Sequence, residues 1–292
     1  MMYEKLKDSR ERGQTVIEQT RLVQLKLVDV LEEICAKYKL RYWLTWGSLL
    51  GACRHNGFIP WDDDLDVCML WEDYKVFKKV AVQMLPDDVL FEDTSKTPPG
   101  RGAIGKLRDR YSFYCEDRTD VRNPSGIFVD IFPVRKMSAM PIAVERLLRW
   151  LQYTTRRHAG DALARLRVSA WAHIFDGFEA LGWRMVYHLS HTTQWVLTVL
   201  VPSSRISLIW DWPFRYICQE DWIFPLKRHK FEDREYFIPN NAEAILCQMY
   251  GDWHKLPPEN QRNLHASIIC PTQAPDVRWA LKWSKTKDVF HR

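Results

Sequence analysis

Three aspartates in the first half of the chain have the type and spacing needed to hold a metal ion. Asp64 and Asp66 are two positions apart, so on a strand both side chains point to the same face. Asp130 lies in the otherwise apolar residues 126–132 (GIFVDIF), where a lone carboxylate is costly unless it is paired or binds a cation. Three converging carboxylates repel one another, and a divalent cation removes that repulsion. The sequence therefore predicts a Mg²⁺ or Mn²⁺ site formed by Asp64, Asp66 and Asp130.

Gly47 and Ser48 are placed where a predicted strand turns into a predicted helix. Glycine lets a phosphate approach the backbone closely, and the first turn of a helix offers free N–H groups. The serine hydroxyl adds a further hydrogen bond. Alone, a D-x-D or a Gly-Ser pair is most often part of an ordinary loop. In this order along the chain, the two features together predict a phosphate site beside the metal.

Hydrophobic periodicity indicates the elements that must position these residues. Residues 15–38 have helical spacing, and short strands are predicted at 41–45 and 65–70 with a helix at 49–54 between them. A helix over 71–85 and strands at 89–92, 103–108, 112–115 and 126–132 follow. This α/β (α+β) pattern predicts a mixed sheet flanked by helices and a mainly helical second half. The predicted division is a catalytic core, 1–135, and a region, 136–292, that completes the same domain.

The second half is harder to interpret. Residues 141–201 are predicted to be mainly helical and carry Arg146, Arg149, Arg156, Arg157, Arg165 and Arg167. An arginine-bearing helical surface suits anionic lipid headgroups, although an ordinary solvated face explains it equally. From residue 214 onward the chain is aromatic and interrupted by prolines, and its elements cannot be assigned.

Composition excludes several classes of protein. A 292-residue chain that is 46% hydrophobic can form a sizeable core, and seven cysteines without a C-x-x-C pair favour neither a disulfide framework nor structural zinc. The first residues lack the apolar segment of a signal peptide, and no apolar run is long enough to span a bilayer. A net charge of +5 without a long basic run argues against a nucleic-acid binder. We expect a cytoplasmic protein, with peripheral contact at the inner face of the cytoplasmic membrane left open.

One continuous stretch carries a specific family resemblance. Residues 47–67 (GSLLGACRHNGFIPWDDDLDV) resemble the signature of the LicD family, which includes bacterial phosphocholine transferases and is related to fukutin and fukutin-related protein. Residues 126–132 resemble the family's second acidic strand, and residues 250–258 (YGDWHKLPP) its C-terminal motif. The helical middle has no clear match.

The resemblance implies a nucleotidyltransferase-like fold and a metal-dependent phosphotransferase. Such an enzyme moves a phospho-alcohol, phosphocholine first, from a CDP-linked donor to a hydroxyl of lipopolysaccharide, teichoic acid or capsule, and releases CMP. Ribitol, glycerol or sugar phosphates remain alternatives, as do transfer of a nucleotide from an NTP and a non-catalytic scaffold. The resemblance implies that Asp64, Asp66 and Asp130 bind the metal, and that Gly47 and Ser48 hold donor phosphate.

Further side chains are candidates from their chemistry and position. Asp62 is a further ligand or the base that takes the acceptor's hydroxyl proton. Basic residues near the two acidic segments are predicted to bind donor phosphate or nucleotide; they are Arg54, His55, Lys106 and Arg108. His254 and His265 are candidates for the acceptor side.

Overall fold

The structure, a computed structural model, describes residues 9–93, 105–115, 125–166, 173–208, 216–262 and 264–274; side chains 153, 156, 157 and 159–180 are outside the description. The helices are α1 (Val16–Tyr38), α2 (Trp46–His55), α3 (Trp71–Met84), α4 (Ile142–Leu166), α5 (His173–Leu200), α6 (Glu220–Ile223) and α7 (Ala242–Tyr250). The strands are β1 (Tyr42–Leu44), β2 (Asp66–Leu70), β3 (Val89–Asp93), β4 (Gly105–Asp109), β5 (Phe113–Cys115), β6 (Phe128–Ser138), β7 (Pro202–Leu208), β8 (Ile217–Gln219), β9 (Lys227–Phe231), β10 (Arg234–Ile238) and β11 (Ile268–Cys270).

A mixed sheet organises the molecule. Its strands run in the order β1-β2-β6-β4-β3, and β7 pairs with the second half of β6 and with β8. The β2 and β6 strands are parallel, whereas β4 is antiparallel to β6. Two smaller antiparallel pairs, β9 with β10 and β5 with β11, complete the strands. The predicted mixed sheet flanked by helices is confirmed. Strand β6 runs across residue 135, at which the predicted division into two regions was drawn.

Helix α1 closes the core on one side of the sheet. Thr15 caps its first turn by accepting a hydrogen bond from the Glu18 N–H, and the chain leaves it at Lys39 in the left-handed conformation. The helix buries a row of apolar side chains that includes Val23, Leu27 and Leu31. Its apolar face therefore packs inward, as expected of an amphipathic helix at the side of a core.

Several predicted boundaries were wrong by a few residues. Helix α2 begins at Trp46 rather than at residue 49, so Gly47 and Ser48 belong to its first turn. Strand β2 begins at Asp66, which leaves Asp64 in the preceding loop rather than on the strand. The two Asp side chains nonetheless reach the same pocket. Residues 103 and 104, at the start of one predicted strand, and Arg167 lie outside the described residues.

The helical second half is confirmed as two long helices that pack against each other, α4 and α5. Arg149 was wrongly expected on their surface: it is buried and donates to the Ser207 hydroxyl at 2.7 Å. Among the described residues, no helix is long and apolar enough to cross a membrane.

Candidate active site

Strand register brings two predicted aspartates together at the centre of the sheet. Asp66, the first residue of β2, is directly opposite Asp130 on the parallel strand β6. Lys106 is opposite Asp130 on the other side, and its Nζ lies 2.7 Å from an Asp130 carboxylate oxygen. Burial, and then the charges of Asp64 and Asp130, raise the pKa of Asp66 well above its usual value. This is a concentration of negative charge that one lysine only partly offsets.

The side chains of the acidic loop at residues 62–64 alternate in direction. Asp62 and Asp64 face a pocket, whereas Asp63 points into the protein and is fully buried. The Asp63 carboxylate accepts hydrogen bonds from the backbone N–H groups of His265 (2.8 Å) and Ala266 (2.9 Å). Burial alone would raise the pKa of Asp63, but these hydrogen bonds outweigh it and lower the pKa. Asp63 therefore fixes the loop so that its two neighbours face outward.

Helix α1 holds the same loop from the other side. The Arg21 guanidinium donates to the carbonyl oxygens of Ile59 at 2.8 Å and Asp62 at 3.2 Å. The Gln24 side-chain amide donates to the Asp63 carbonyl at 2.7 Å. With backbone carbonyls tied down in this way, the direction of the Asp62 and Asp64 side chains is set by the fold.

The pocket that these carboxylates face has a volume of about 330 Å³. Its lining combines acidic and aromatic side chains with the first turn of α2: Trp46, Gly47, Leu50, Ile59, Trp61, Asp62, Asp64, Asp66, Tyr250, Gln261 and His265. A Cβ atom at Gly47 would lie 2.7 Å from an Asp62 carboxylate oxygen, so glycine lets the Asp62 carboxylate come close to the first turn of α2. The site thus presents carboxylates and the start of a helix to one cavity.

His265 is the cation at the mouth of this acidic cluster. Its Nδ1 lies 3.5 Å from a carboxylate oxygen of Asp62, 3.3 Å from one of Asp63 and 3.5 Å from one of Asp64. Hydrogen bonds to Asp62 and Asp63 raise the pKa of His265 to about 11. Burial and the charge of Asp62 raise the pKa of Asp64 to about 8. Both shifts reflect a surplus of carboxylates in a small space.

The carboxylates meet the requirements of a hard divalent cation only in part. Asp62, Asp63 and His265 each offer one ligand atom, and these atoms lie within 4.8 Å of one another. Over the described residues, the predicted trio Asp64, Asp66 and Asp130 does not form a group of that compactness. Asp66 is buried, and its pKa is raised well above the usual value by burial and by its acidic neighbours. These carboxylates still fit a cation, because a positive charge lets them ionise together.

Two of the predicted phosphate-binding residues lie beside the carboxylates, and the others make different contacts. Gly47 lines the pocket, and Lys106 is next to Asp130. Ser48 is buried beneath the pocket, where its hydroxyl accepts the Asp66 N–H at 2.7 Å and ties α2 to β2. Arg108 pairs with the Glu92 carboxylate at 2.6 Å.

Arg54 and His55 are at the far end of α2. The Arg54 guanidinium donates to the Trp253 carbonyl at 2.9 Å and lines a neighbouring cavity of about 350 Å³. Arg54 Nε donates to His55 Nε2 at 3.0 Å, and burial together with Arg54 lowers the pKa of His55. The two cavities share Leu50, Ile59, Trp61 and Tyr250, so a bound substrate that fills both would contact Arg54.

Six pocket residues were not among the sequence candidates: Trp46, Leu50, Ile59, Trp61, Tyr250 and Gln261. Tyr250 belongs to the C-terminal segment at 250–258, whose position in the fold cannot be derived from spacing. His265, a candidate for the acceptor side, lies at the pocket. His254 lies at the surface 3.8 Å from Glu243 and does not line it.

Residues 39–159 match the family described as LicD/FKTN/FKRP, nucleotidyltransferase domain. Over this segment the chain is similar to the LicD family. Every predicted metal and phosphate residue, from Gly47 to Asp130, lies inside the matched segment. The prediction of a LicD-type phosphotransferase is thereby confirmed at the level of the family.

Two named relatives are similar to this chain. Lipopolysaccharide cholinephosphotransferase LicD of Haemophilus influenzae is 26% identical over 279 residues, covering 85% of this chain and 95% of the relative. Ribitol 5-phosphate transferase FKRP of Mus musculus and of Homo sapiens is 59% identical over 34 residues, which is 12% of this chain and 7% of FKRP. Both names describe transfer of a phosphorylated alcohol, although the alcohols differ.

Proposed function

We propose that the protein transfers a phospho-alcohol, phosphocholine first among them, from a CDP-activated donor to a hydroxyl group of a cell-surface glycan or glycolipid, releasing CMP. The observation that carries the proposal is the pocket in which Asp62, Asp64, Asp66 and the first turn of α2 converge. Support for phosphocholine comes from the LicD relative, which covers 85% of the chain. Lipopolysaccharide, teichoic acid and capsule are the acceptor classes we expect.

Asp64, Asp66 and Asp130 would hold a Mg²⁺ or Mn²⁺ ion. When bound, such an ion neutralises charge on the donor diphosphate and on the departing CMP. The three carboxylates come from the acidic loop and from adjacent strands of the sheet, and the fold holds them in place before any substrate arrives. Lys106 keeps part of the negative charge balanced by its contact with Asp130.

The remaining groups around the pocket bind and orient the substrates. The first turn of α2, opened by Gly47, directs backbone N–H groups toward the donor phosphates, and Ser48 keeps that turn against Asp66. The acceptor hydroxyl oxygen forms a bond to phosphorus while the bond to CMP breaks. Asp62 takes the hydroxyl proton, and His265 steadies the Asp62 carboxylate.

The aromatic rings around the pocket are relevant to which phospho-alcohol the enzyme transfers. Cation–π attraction to such rings is the usual way to hold the choline ammonium group. The Trp61 ring already has the Arg262 guanidinium 4.5 Å from its centroid, so that face is occupied by a cation. Trp46 and Tyr250 are the better candidates for a choline contact. A ribitol or glycerol phosphate would have no such need.

The test is product analysis with the purified chain. We expect release of CMP and labelling of a glycan acceptor when CDP-choline and Mg²⁺ are present, and neither when the metal is chelated. Asp66→Asn should lower turnover by at least about 100-fold, because a preorganised charge contact at the reacting phosphate is lost. The control is Asp87→Asn, because Asp87 is an exposed carboxylate in the turn before β3. Near wild-type turnover of Asp66→Asn would sink the assignment of the site.

The family description also names a nucleotidyltransferase domain, which keeps nucleotide transfer from an NTP as a second candidate. A panel of CDP-alcohols and NTPs in thermal-shift measurements separates the two, because a ligand that binds the folded state raises its melting temperature. A metal-dependent shift with CDP-choline or CDP-ribitol supports phospho-alcohol transfer. A shift with ATP or UTP and with no CDP compound would favour the second candidate.

A further inference from the structure

The paired helices α4 and α5 have an interior that is polar. Among their described side chains, every one that is fully buried carries a polar group: Glu145, Arg149, Gln152, Thr155, Ser190 and Gln194. In a helix pair that faces water on its outside, the buried positions are normally apolar. The arrangement in this hairpin is the reverse.

Three of the buried polar groups form a hydrogen-bonded network. The Gln194 amide donates to a Glu145 carboxylate oxygen at 2.7 Å and accepts from the Gln152 amide at 2.7 Å. The other Glu145 oxygen accepts the Ser138 N–H at 3.1 Å, which links the network to β6. Separately, Arg149 donates to the Ser207 hydroxyl of β7. Hydrogen bonds therefore connect the hairpin to two strands of the sheet.

Many of the described apolar side chains of α5 lie on the outside instead. At 100° per residue they fall on one stripe along the helix, and their exposed fractions run from 36% to 72%: Leu181, Met185, Leu189, Trp195, Val196, Val199 and Leu200. Leu147 and Trp150 are exposed in the same way on α4. An apolar stripe of this length on a single helix is far beyond the scattered apolar residues of an ordinary surface.

Charge around the stripe indicates what covers it. From residue 180 to residue 210 the chain has no Asp or Glu, so nothing along the stripe repels an anionic surface. Arg184 lies at the edge of the stripe and Arg146 on α4, and both are exposed. An apolar stripe bordered by arginines and lacking acids complements a bilayer with anionic headgroups. Because no described helix can cross a membrane, contact is limited to helices lying along its surface.

We propose that the α4–α5 hairpin docks on the surface of an anionic lipid bilayer. The stripe of α5 enters the boundary between headgroups and acyl chains, and Arg146 and Arg184 contact the headgroup phosphates. The polar network stays inside the protein, as polar groups of membrane-embedded helices do. Docking can be measured without donor or acceptor, so its outcome is independent of the reaction proposed above.

The test is co-sedimentation of the full chain with vesicles of phosphatidylcholine alone and of phosphatidylcholine with phosphatidylglycerol. We expect the protein to pellet with the mixed vesicles, and the Leu189→Ser, Val199→Ser double variant to lose at least about tenfold in partitioning. Both changes are at exposed positions, so folding should be kept, which circular dichroism checks. The matched control is Val82→Ser, because Val82 is 77% exposed on α3, away from the hairpin. It should pellet like the wild type.

Four outcomes would contradict the proposal. Wild-type protein that stays in the supernatant with every vesicle removes lipid as the occupant. Equal pelleting of the double variant and the wild type removes the stripe as the contact. A dimer in size-exclusion chromatography with light scattering that the double variant converts to monomer, without vesicle binding, assigns the stripe to a second copy of the chain. Equal binding to both vesicle types would overturn the role of the headgroup charge.

Discussion

Helix α1 and the α4–α5 hairpin are both amphipathic, but they bury opposite kinds of residue. Along α1 the buried side chains are mostly apolar, and the polar ones among them, such as Gln24, serve the acidic loop. In the hairpin, the described side chains that are fully buried are polar, three of them form a network, and a stripe of apolar side chains is exposed. The same helical periodicity therefore places an apolar face in the core in α1 and an apolar stripe on the surface in α5.

The difference separates the tasks of the two regions. The α1 side of the molecule must hold Asp62, Asp64 and Asp66 in fixed positions, and a dry apolar core provides a rigid support for them. The hairpin instead directs an apolar surface outward. A rigid site and an outward-facing apolar surface together suit an enzyme whose acceptor is carried on a membrane.

A matched pair of leucine truncations tests most directly whether α1 and α5 differ in which face they bury. Leu31→Ala on α1 removes a fully buried side chain and should cost about 2–5 kcal/mol in the free energy of unfolding. Leu189→Ala on α5 removes a side chain that is 70% exposed and should change it by less than about 0.5 kcal/mol. Urea titration in the absence of lipid measures both. A large cost at Leu189 would mean that the stripe is packed in the isolated protein.

A second prediction concerns the polar interior. Gln194→Leu removes the donor to the buried Glu145 carboxylate and the acceptor of the Gln152 amide, and should destabilise the protein by about 1.5–3 kcal/mol. Thr193→Leu, at an exposed position one residue away, is the control and should have little effect. If Gln194→Leu raised stability, the hairpin would tolerate an apolar interior, and the contrast with α1 would lose its energetic basis.

Much of the first half could be predicted from the sequence because its signals are local. The period of α1, the alternation of Asp62 and Asp64 and the apolar strand around Asp130 each depend on residues close in the chain. Contacts across the chain could not be predicted. Asp63 is held by the backbone of residues 265 and 266, and Lys106 meets Asp130 only through the register of two antiparallel strands.

The hairpin shows a different limit. Periodicity reveals that a helix has two faces, but it does not say which face is buried, and the usual assumption puts the apolar face inside. That assumption placed Arg149 on the surface, whereas the structure buries it against β7. The strands after residue 216 are short, and most of the segments between them contain prolines, so neither alternation nor a helical period was long enough to assign them.

The smallest expected effects come from two helical glycines, and they should have opposite signs. In α2, a Cβ at Gly51 would overlap the carbonyl oxygen of Gly57 and approach the Ile59 nitrogen to 3.2 Å. Gly51→Ala should therefore destabilise the protein by about 1–3 kcal/mol, because backbone atoms cannot yield as a flexible side chain can. In α5, a Cβ at Gly182 meets nothing within 4 Å.

Gly182→Ala should stabilise the protein by about 0.5–1 kcal/mol, since alanine restricts the unfolded chain and favours the helix. Thermal unfolding of both variants, followed by circular dichroism, gives the two signs in one experiment. Loss of stability in both would mean that the outer face of α5 is closely covered in the protein alone. Opposite signs would show that close packing surrounds the helix that lines the pocket, while the outer face of the hairpin helix stays open for a partner.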